Sequence, residues 1–362
     1  MTRGVSIAAA HESRAAERVE NLEGIAAMDE ADQIRSLEAA RGADPLADGG
    51  GGFRSGFAAL IGRPNVGKST LTNVMVGEKV AIMSRRPQTT RHAIRGIVNR
   101  DNAQLILVDT PGLHRPRTLL GERLNDLVSG TLAEVDVIAF CLPADQAIGT
   151  GDKFIAAQLV PLMGGRKRMP VVAVVTKSDS VSKEALGQHL LDVEQLAEEL
   201  EVAWAAIIPV SAVAGYQITE LENVLISYLP PGPMLYPDGE LTDEPEETMV
   251  GELVREAALE GVRDELPHSL AVVVDEIAER PGSGDPESGK LPLTDVRVSL
   301  FVERDSQKAI VIGKGGARLR EVGTKARQGI EKLLGTRVYL DIHVKVAKDW
   351  QRDPKQLRKL GF

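Results

Sequence analysis

An apolar run, Phe57-Ala-Ala-Leu-Ile61, passes directly into Gly62-Arg-Pro-Asn-Val-Gly-Lys-Ser-Thr70, and Ser69 to Met75 then reads as a helix. Few backbones accommodate that order. A buried strand, a glycine-bearing turn and a helix N-terminus in succession form the loop G-x-x-x-x-G-K-[ST]. Its glycines let backbone N–H groups turn inward on a polyphosphate, and the helix end adds partial positive charge. Gly62, Arg63, Pro64, Asn65, Val66, Gly67, Lys68, Ser69 and Thr70 are therefore expected to surround a nucleotide. Lys68 would reach the β- and γ-phosphates, and the Ser69 hydroxyl would ligate Mg²⁺.

From Phe57 to Leu229, strand-like runs near 57–61, 94–98, 104–109, 135–142, 170–176 and 205–210 alternate with helix-like stretches. The helices fit 68–76, 118–130, 150–162, 183–200 and 216–229. This alternation predicts an α/β domain, a doubly wound and mostly parallel sheet, whose ligands sit at the carboxyl ends of the strands. Pro230-Pro-Gly-Pro233 breaks the last helix, and Asp238 to Glu247 holds six acids and no base, which reads as an exposed linker. From Thr248 the pattern restarts as α-β-β-α-α-β, a smaller α+β domain. The expected divisions are an extension over 1–52, disordered or loosely helical, a nucleotide domain over 53–230, a linker over 231–247 and a second domain over 248–362.

The net charge of −9 is unevenly spread. Arg297 to Phe362 holds sixteen Lys/Arg against seven Asp/Glu, a local +9 that leaves −18 for the rest. A polyanion-binding C-terminal unit on an acidic protein is expected. No run of about 18 apolar residues predicts a membrane span. The N-terminus carries no secretory pattern, and the single Cys141 lies inside an apolar run, so a reducing cytoplasm is expected.

Three further segments select guanine and hydrolysis. Leu105-Ile-Leu-Val-Asp109 delivers Asp109, Thr110, Pro111 and Gly112. Asp109 can hold Mg²⁺ through a water, and the Gly112 N–H can meet a γ-phosphate. Val171 to Asp179 is a strand ending in Thr176, Lys177 and Asp179. An ionised carboxylate only accepts hydrogen bonds, so Asp179 matches the two donors on the guanine edge and opposes the adenine N1 lone pair. The Lys177 stem can cover the base face. Ser211 and Ala212 end another strand, where a backbone N–H can donate to guanine O6. In this order and spacing the segments match the GTPase superfamily, with Thr176 where an Asn is usual. That exchange is expected to weaken loop anchoring slightly without changing base choice.

Arg86 to Arg91 supplies Thr89 and Thr90 as candidates to close over the γ-phosphate and Mg²⁺, with Thr90 favoured. Leu113 stands where Ras-like enzymes place a water-orienting glutamine, so a slow enzyme is expected. Asn65 is a candidate ligand for a K⁺ ion that would supply positive charge near the β,γ-phosphates. The expected catalytic set is Asn65, Lys68, Thr90 and Gly112.

In the second domain, Gly313-Lys-Gly-Gly316 sits between two helices inside the basic segment. A KH fold uses such a G-x-x-G loop to let single-stranded nucleic acid approach the backbone. Gly313, Lys314, Gly315 and Gly316, with Arg318, Arg320, Lys325 and Arg327, are the candidate RNA contacts.

From about Phe57 to Phe362 the chain resembles the Era-like GTPase family with a C-terminal KH domain. The resemblance rests on the loop 62–70, Gln-Thr-Thr-Arg-His (88–92), Asp-Thr-Pro-Gly (109–112), Asp264-Glu-Leu-Pro267, Ile312 to Ala317, Val344 to Trp350 and Leu357 to Phe362. It implies a type II KH domain that binds the 3′ end of 16S rRNA during maturation of the small (30S) ribosomal subunit. It also implies peripheral contact with the inner membrane and a hydrophobic residue in place of the catalytic glutamine. A monomer that uses GTP/GDP, Mg²⁺ and K⁺ is expected, with the acidic linker relaying nucleotide state to the RNA. Two rival readings are a tandem-type ribosome-assembly GTPase, disfavoured by the single phosphate loop, and a non-catalytic RNA-binding scaffold, disfavoured by intact Lys68, Ser69 and Asp109.

Overall fold

The computed structural model describes residues 52–83, 91–113, 116, 118–164, 168–260, 269–284 and 289–362. The extension expected before residue 53 lies outside them except for Gly52, as do Thr89, Thr90 and the segment Asp264-Glu-Leu-Pro267.

Six strands build the first sheet: β1 (Arg54–Ile61), β2 (Ile94–Arg100), β3 (Ala103–Asp109), β4 (Val137–Pro143), β5 (Val171–Thr176) and β6 (Ala206–Pro209). Their order is β2-β3-β1-β4-β5-β6, parallel throughout except for the β2–β3 pair. β3, β4 and β5 are buried at every position, which is why they read as unbroken apolar runs rather than alternating ones. Helices α1 (Lys68–Val76), α2 (Leu119–Glu134), α3 (Thr150–Gly164), α4 (Lys183–Glu199) and α5 (Ile218–Ser227) cover it. Leu71 and Met75 of α1 share one core with Leu221 and Leu225 of α5. Val128, Ile155, Leu159, Val193 and Leu196, from α2, α3 and α4, fill the other face. Each such side chain contributes about 1.5–3 kcal/mol on burial. Two covered faces leave the carboxyl ends of the strands as the open crevice.

The second unit runs α6 (Glu246–Leu259), β7 (Ala271–Glu279), β8 (Leu293–Val302), α7 (Asp305–Ile312), α8 (Ala317–Leu334), β9 (Arg337–Val346) and α9 (Pro354–Lys359). The α-β-β-α-α-β order is the expected one, and its sheet is β7-β8-β9, antiparallel then parallel. Val250 and Val254 of α6 and Val322, Ala326 and Ile330 of α8 pack on Val296, Val298 and Leu300. α6 starts at Glu246, two residues earlier than the sequence pattern suggests. Glu246 and Glu247 occupy its first turn, where carboxylates complement the helix dipole.

The acidic linker is exposed over much of its length, and it is also docked. It lies along the free side of β2: Ile97 N–H donates to Leu241 O (2.8 Å), Thr242 Oγ1 donates to Arg95 O (2.7 Å) and Arg95 pairs with Asp243 (3.0 Å).

The two units meet at a fourth apolar cluster. Leu120 and Leu124 of α2 pack with Ala271, Trp350, Leu357 and Leu360. The apolar side chains of Trp350, Leu357 and Leu360 thus pack against the nucleotide domain. Arg91 is 1 % exposed at this junction and donates to Leu270 O (2.7 Å). Its guanidinium lies 5.5 Å from the Trp350 ring centre and 5.7 Å from that of Phe362. Burial, with Arg255 nearby, pushes its pKa down to about 9, so it stays charged at neutral pH. His92 stacks on Phe362 at 5.4 Å.

Candidate functional site

The turn from β1 to α1 is built from left-handed residues: Asn65 at φ 64° and Gly67 at φ 100°. Asn tolerates that region better than most side chains. Gly67 is the N-cap of α1 and supplies no side-chain cap, so the first-turn N–H groups face the crevice. A cavity of about 650 Å³ opens there. Pro64, Asn65, Gly67, Lys68, Ser69 and Thr70 line one part of it, Gly112 another, and Thr176, Lys177, Asp179 and Ala212 the far end.

Lys68 is buried, and its Nζ donates to Gly62 O (3.1 Å) and Arg63 O (3.0 Å). Burial pushes the Lys68 pKa down, opposed by the Asp109 carboxylate and by Cys141. A phosphate anion beside Nζ would restore preference for the charged form. Ser69 Oγ donates to Asp109 Oδ2 at 2.6 Å. A hydroxyl and a carboxylate oxygen brought together beside a phosphate loop form the hard donor set that suits Mg²⁺. Asp109 itself is fully buried and lies behind Ser69, which fits a contact through water.

Gly112 allows no side chain: a Cβ there would stand 2.6 Å from Pro64 N and 2.8 Å from its Cα. The phosphate loop and the end of β3 therefore touch backbone to backbone, and Leu113 N–H donates to Gly62 O (3.3 Å). The Leu113 side chain is 3 % exposed and belongs to the core under α2. It turns away from the crevice, so this position contributes only backbone.

Thr176 Oγ1 donates to Val66 O at 2.6 Å, tying β5 to the phosphate loop. The anchor expected to weaken with the loss of an Asn amide is present as a short hydroxyl bond. Lys177 holds a left-handed φ of 57°, and its ammonium pairs with Asp145 (3.0 Å). Asp179 Oδ1 accepts from Ser211 Oγ at 2.5 Å. The Ser211 amide donates to Tyr216 O, and Ala212 beside it lines the cavity. Ser211 stands behind Asp179 and orients it.

Several expected contacts face elsewhere. Arg63 points out of the cavity, with Nε on Asp152 Oδ1 (2.7 Å) and Nη2 on Gln146 Oε1 (3.2 Å). Thr110 Oγ1 donates to Leu60 O (2.7 Å), and Val66 and Pro111 are buried. Asp145, Asp152 and Asn73 hold the site and carry no motif that would have revealed them. Asn73 Oδ1 accepts from the Val80 and Ala81 amides (2.9 and 2.8 Å), fixing the loop that ends in the cavity wall at Ile82 and Met83.

In the second unit Gly313, Gly315 and Gly316 take φ of 71°, 57° and 75°, a run that residues with a Cβ rarely adopt. Lys314 and Arg327 are exposed, and Arg320 is exposed with Nη2 on Gly315 O (3.2 Å). Arg318 differs: its Nη2 caps α6 through Ala258 O (3.1 Å) and Glu260 O (2.8 Å). Lys325 pairs with Glu260 (2.5 Å) and Glu321 (3.1 Å).

A doubly wound sheet with this phosphate loop and a carboxylate at the base end, followed by a KH unit, defines a P-loop GTPase with an appended KH domain. Residues 57–177 match the family described as 50S ribosome-binding GTPase, and residues 265–351 match the KH domain family. The chain is 64 % identical to GTPase Era of Mycolicibacterium smegmatis over 310 residues, 86 % of this chain and 99 % of that protein. It is 61 % identical to GTPase Era of Streptomyces coelicolor over 309 residues, 85 % and 95 % of the two. A solved structure of Era with MgGDPNP and a 16S ribosomal RNA segment superposes with a TM-score of 0.77 at 34 % identity, covering 85 % of this chain and 99 % of that one. Aquifex aeolicus Era bound to GDP·AlF₄⁻ gives 0.77 at 35 %, with the same coverage. The chain belongs to the GTPase Era family and hydrolyses GTP to GDP and phosphate.

Proposed function

We propose that this GTPase is a slow switch that binds the single-stranded 3′ end of 16S rRNA through its KH unit and assists maturation of the 30S subunit. The observation that carries the reading is one continuous chain holding both a cavity lined by the phosphate loop, Gly112, Asp179 and Ala212 and a basic loop of left-handed glycines. The Era structure with MgGDPNP and a 16S rRNA segment supports it.

Lys68, the loop amides and the Gly112 N–H hold the β- and γ-phosphates, and Asp179 with the Ala212 amide reads the guanine edge. Ser69 and, through water, Asp109 would hold Mg²⁺, which would supply positive charge against the developing phosphate anion. Thr90 completes this set. No side chain at 113 reaches the attacking water, which keeps turnover slow. Asn65 would hold K⁺, which would supply extra positive charge near the phosphates. A cytoplasmic location with peripheral membrane contact belongs to the same reading, and it is carried by the family resemblance. Among the described residues no helix is long and apolar enough to cross a membrane.

The test is GTP turnover in K⁺ and in Na⁺, with and without a short RNA of the 16S 3′ end. The reading expects low turnover in Na⁺, an increase in K⁺ and a further response to RNA. Background turnover throughout, with RNA still bound, would instead favour a scaffold with a regulatory nucleotide site.

A further inference from the structure

Glu256 is a residue of α6, yet its carboxylate is used by the nucleotide domain. Oε1 accepts from the Met83 N–H at 3.0 Å, and Oε2 pairs with the Lys79 ammonium. Met83 and the buried Ile82 form a wall of the nucleotide cavity. The same stretch of chain is held on its other side by Asn73, whose Nδ2 also donates to Ala81 O (2.7 Å). Residues 79–83 are thus suspended between two helices. One is α1, whose first turn carries Lys68 and Ser69, and the other is α6 of the KH unit.

The end of α6 is engaged again one turn later. Glu260 N–H donates to Glu256 O (3.2 Å), so the two residues sit on adjacent turns. The Ala258 and Glu260 carbonyls accept from Arg318, which lies two residues beyond Gly316, and the Glu260 carboxylate pairs with Lys325 of α8. From the cavity wall to the glycine loop the path is Met83, Glu256, the last turn of α6, Arg318. The acidic linker, docked along β2, contributes no residue to it.

We infer that Glu256 is a positioning residue of the nucleotide site, and that through the last turn of α6 it couples that site to the loop at Gly313–Gly316. This rests on the reading of the cavity as a GTP site and of the loop as an RNA site. RNA seated against the loop acts on Arg318 and hence on the end of α6. A displacement there reaches the Met83 amide through one carboxylate. In reverse, a nucleotide pressing on Ile82 and Met83 alters the frame on which Arg318 is held. The coupling is reciprocal, as any binding linkage must be.

The experiment uses the full chain with Glu256→Ala, Glu256→Gln and Lys79→Ala. Glutamine keeps an oxygen acceptor for the Met83 N–H and loses only the charge facing Lys79. Two quantities are read: the release rate of a fluorescent GDP analogue, and the ratio of affinities for a 16S 3′-end oligonucleotide with a non-hydrolysable GTP analogue and with GDP. Glu256→Ala is expected to speed release by about fivefold, in line with loss of one exposed charge-assisted bond, and to bring the affinity ratio close to one. Glu256→Gln should stay within about twofold of the parent on both readings, and Lys79→Ala should behave like it. RNA affinity in the GDP state should be the same in all four proteins, which checks that the KH unit is folded. If Glu256→Ala leaves both release and ratio at parental values while nucleotide and RNA are bound, the inference is overturned and the functional reading stands. If the alanine chain does not fold, Glu256→Ser, whose hydroxyl is too short to reach the Met83 N–H, is read in its place: a ratio near one supports the inference and a parental ratio overturns it. A parent that binds no GTP or no RNA refutes the functional reading itself.

Discussion

In the phosphate loop the frame supplies partners to Lys68, to Ser69 and to the loop backbone. Lys68 bonds Gly62 O and Arg63 O, Ser69 bonds Asp109, and Thr176 fixes the loop carbonyl at Val66. At the other glycine loop, Gly313 to Gly316, the Arg320 side chain bonds Gly315 O, and Lys314 stands exposed in solvent. The contrast suits the ligands proposed for the two loops. A triphosphate is small and always the same, so fixed N–H groups and a buried ammonium cost no rearrangement when it binds. A nucleic-acid strand is long and flexible, and a loop of permissive backbone with cations on long stems can follow it.

Substitutions at the two loops should therefore differ in kind as well as in size. Lys68→Ala should lower GTP affinity by at least about 100-fold, since a buried charge-assisted contact to phosphate disappears, while RNA binding without nucleotide is unchanged. Calorimetric titration of both ligands measures this, and a loss below tenfold would break the contrast. Asp179→Asn comes next: GTP affinity should fall by about 100-fold, because a carboxylate that receives two donors is replaced by a group that can accept only one. Affinity for XTP should rise, and unchanged GTP affinity would refute the assignment. Lys314→Ala and Arg320→Ala should each weaken RNA binding by only about three- to tenfold and lower the salt slope by about 0.7. GTP turnover without RNA should not move. A 100-fold loss from either would mean that the glycine loop is as rigidly arranged as the phosphate loop.

The smallest effect on chemistry is expected at Leu113. Leu113→Gln places an amide in an apolar core, so it should lower stability by about 1–3 kcal/mol by denaturant titration and leave kcat unchanged. A faster enzyme would show that the side chain can swing into the crevice.

The strands, the helices and both glycine loops were legible because each is a local pattern: apolar runs of strand length, 3.6-residue periodicity and glycines at fixed spacing. Asp179 was legible through its chemistry, a carboxylate at the end of a buried strand. Arg318 was not. Its composition marks a phosphate contact, but its guanidinium caps α6 about sixty residues away, and only tertiary contact reveals that. Arg91 is a still clearer case. A charged residue ending a polar stretch reads as solvated, yet it is enclosed by Trp350, Phe362 and the Leu270 carbonyl, all supplied by the other unit. Leu113 was legible as a missing glutamine, but its burial beneath α2 was not, because the residues that cover it lie on α2 and beyond. The linker was recognised by its acids, whereas its docking depends on carbonyls and amides of β2 that composition does not encode.

That docking has a consequence for behaviour at high concentration. β2 is the outermost strand of its sheet, and an uncovered outer strand offers a row of amides and carbonyls to any other chain. Leu241 and Thr242 occupy part of that row, and the neighbouring carboxylates repel a second acidic molecule approaching the same edge. The segment that joins the two units therefore also caps part of the sheet edge that β2 would otherwise leave open.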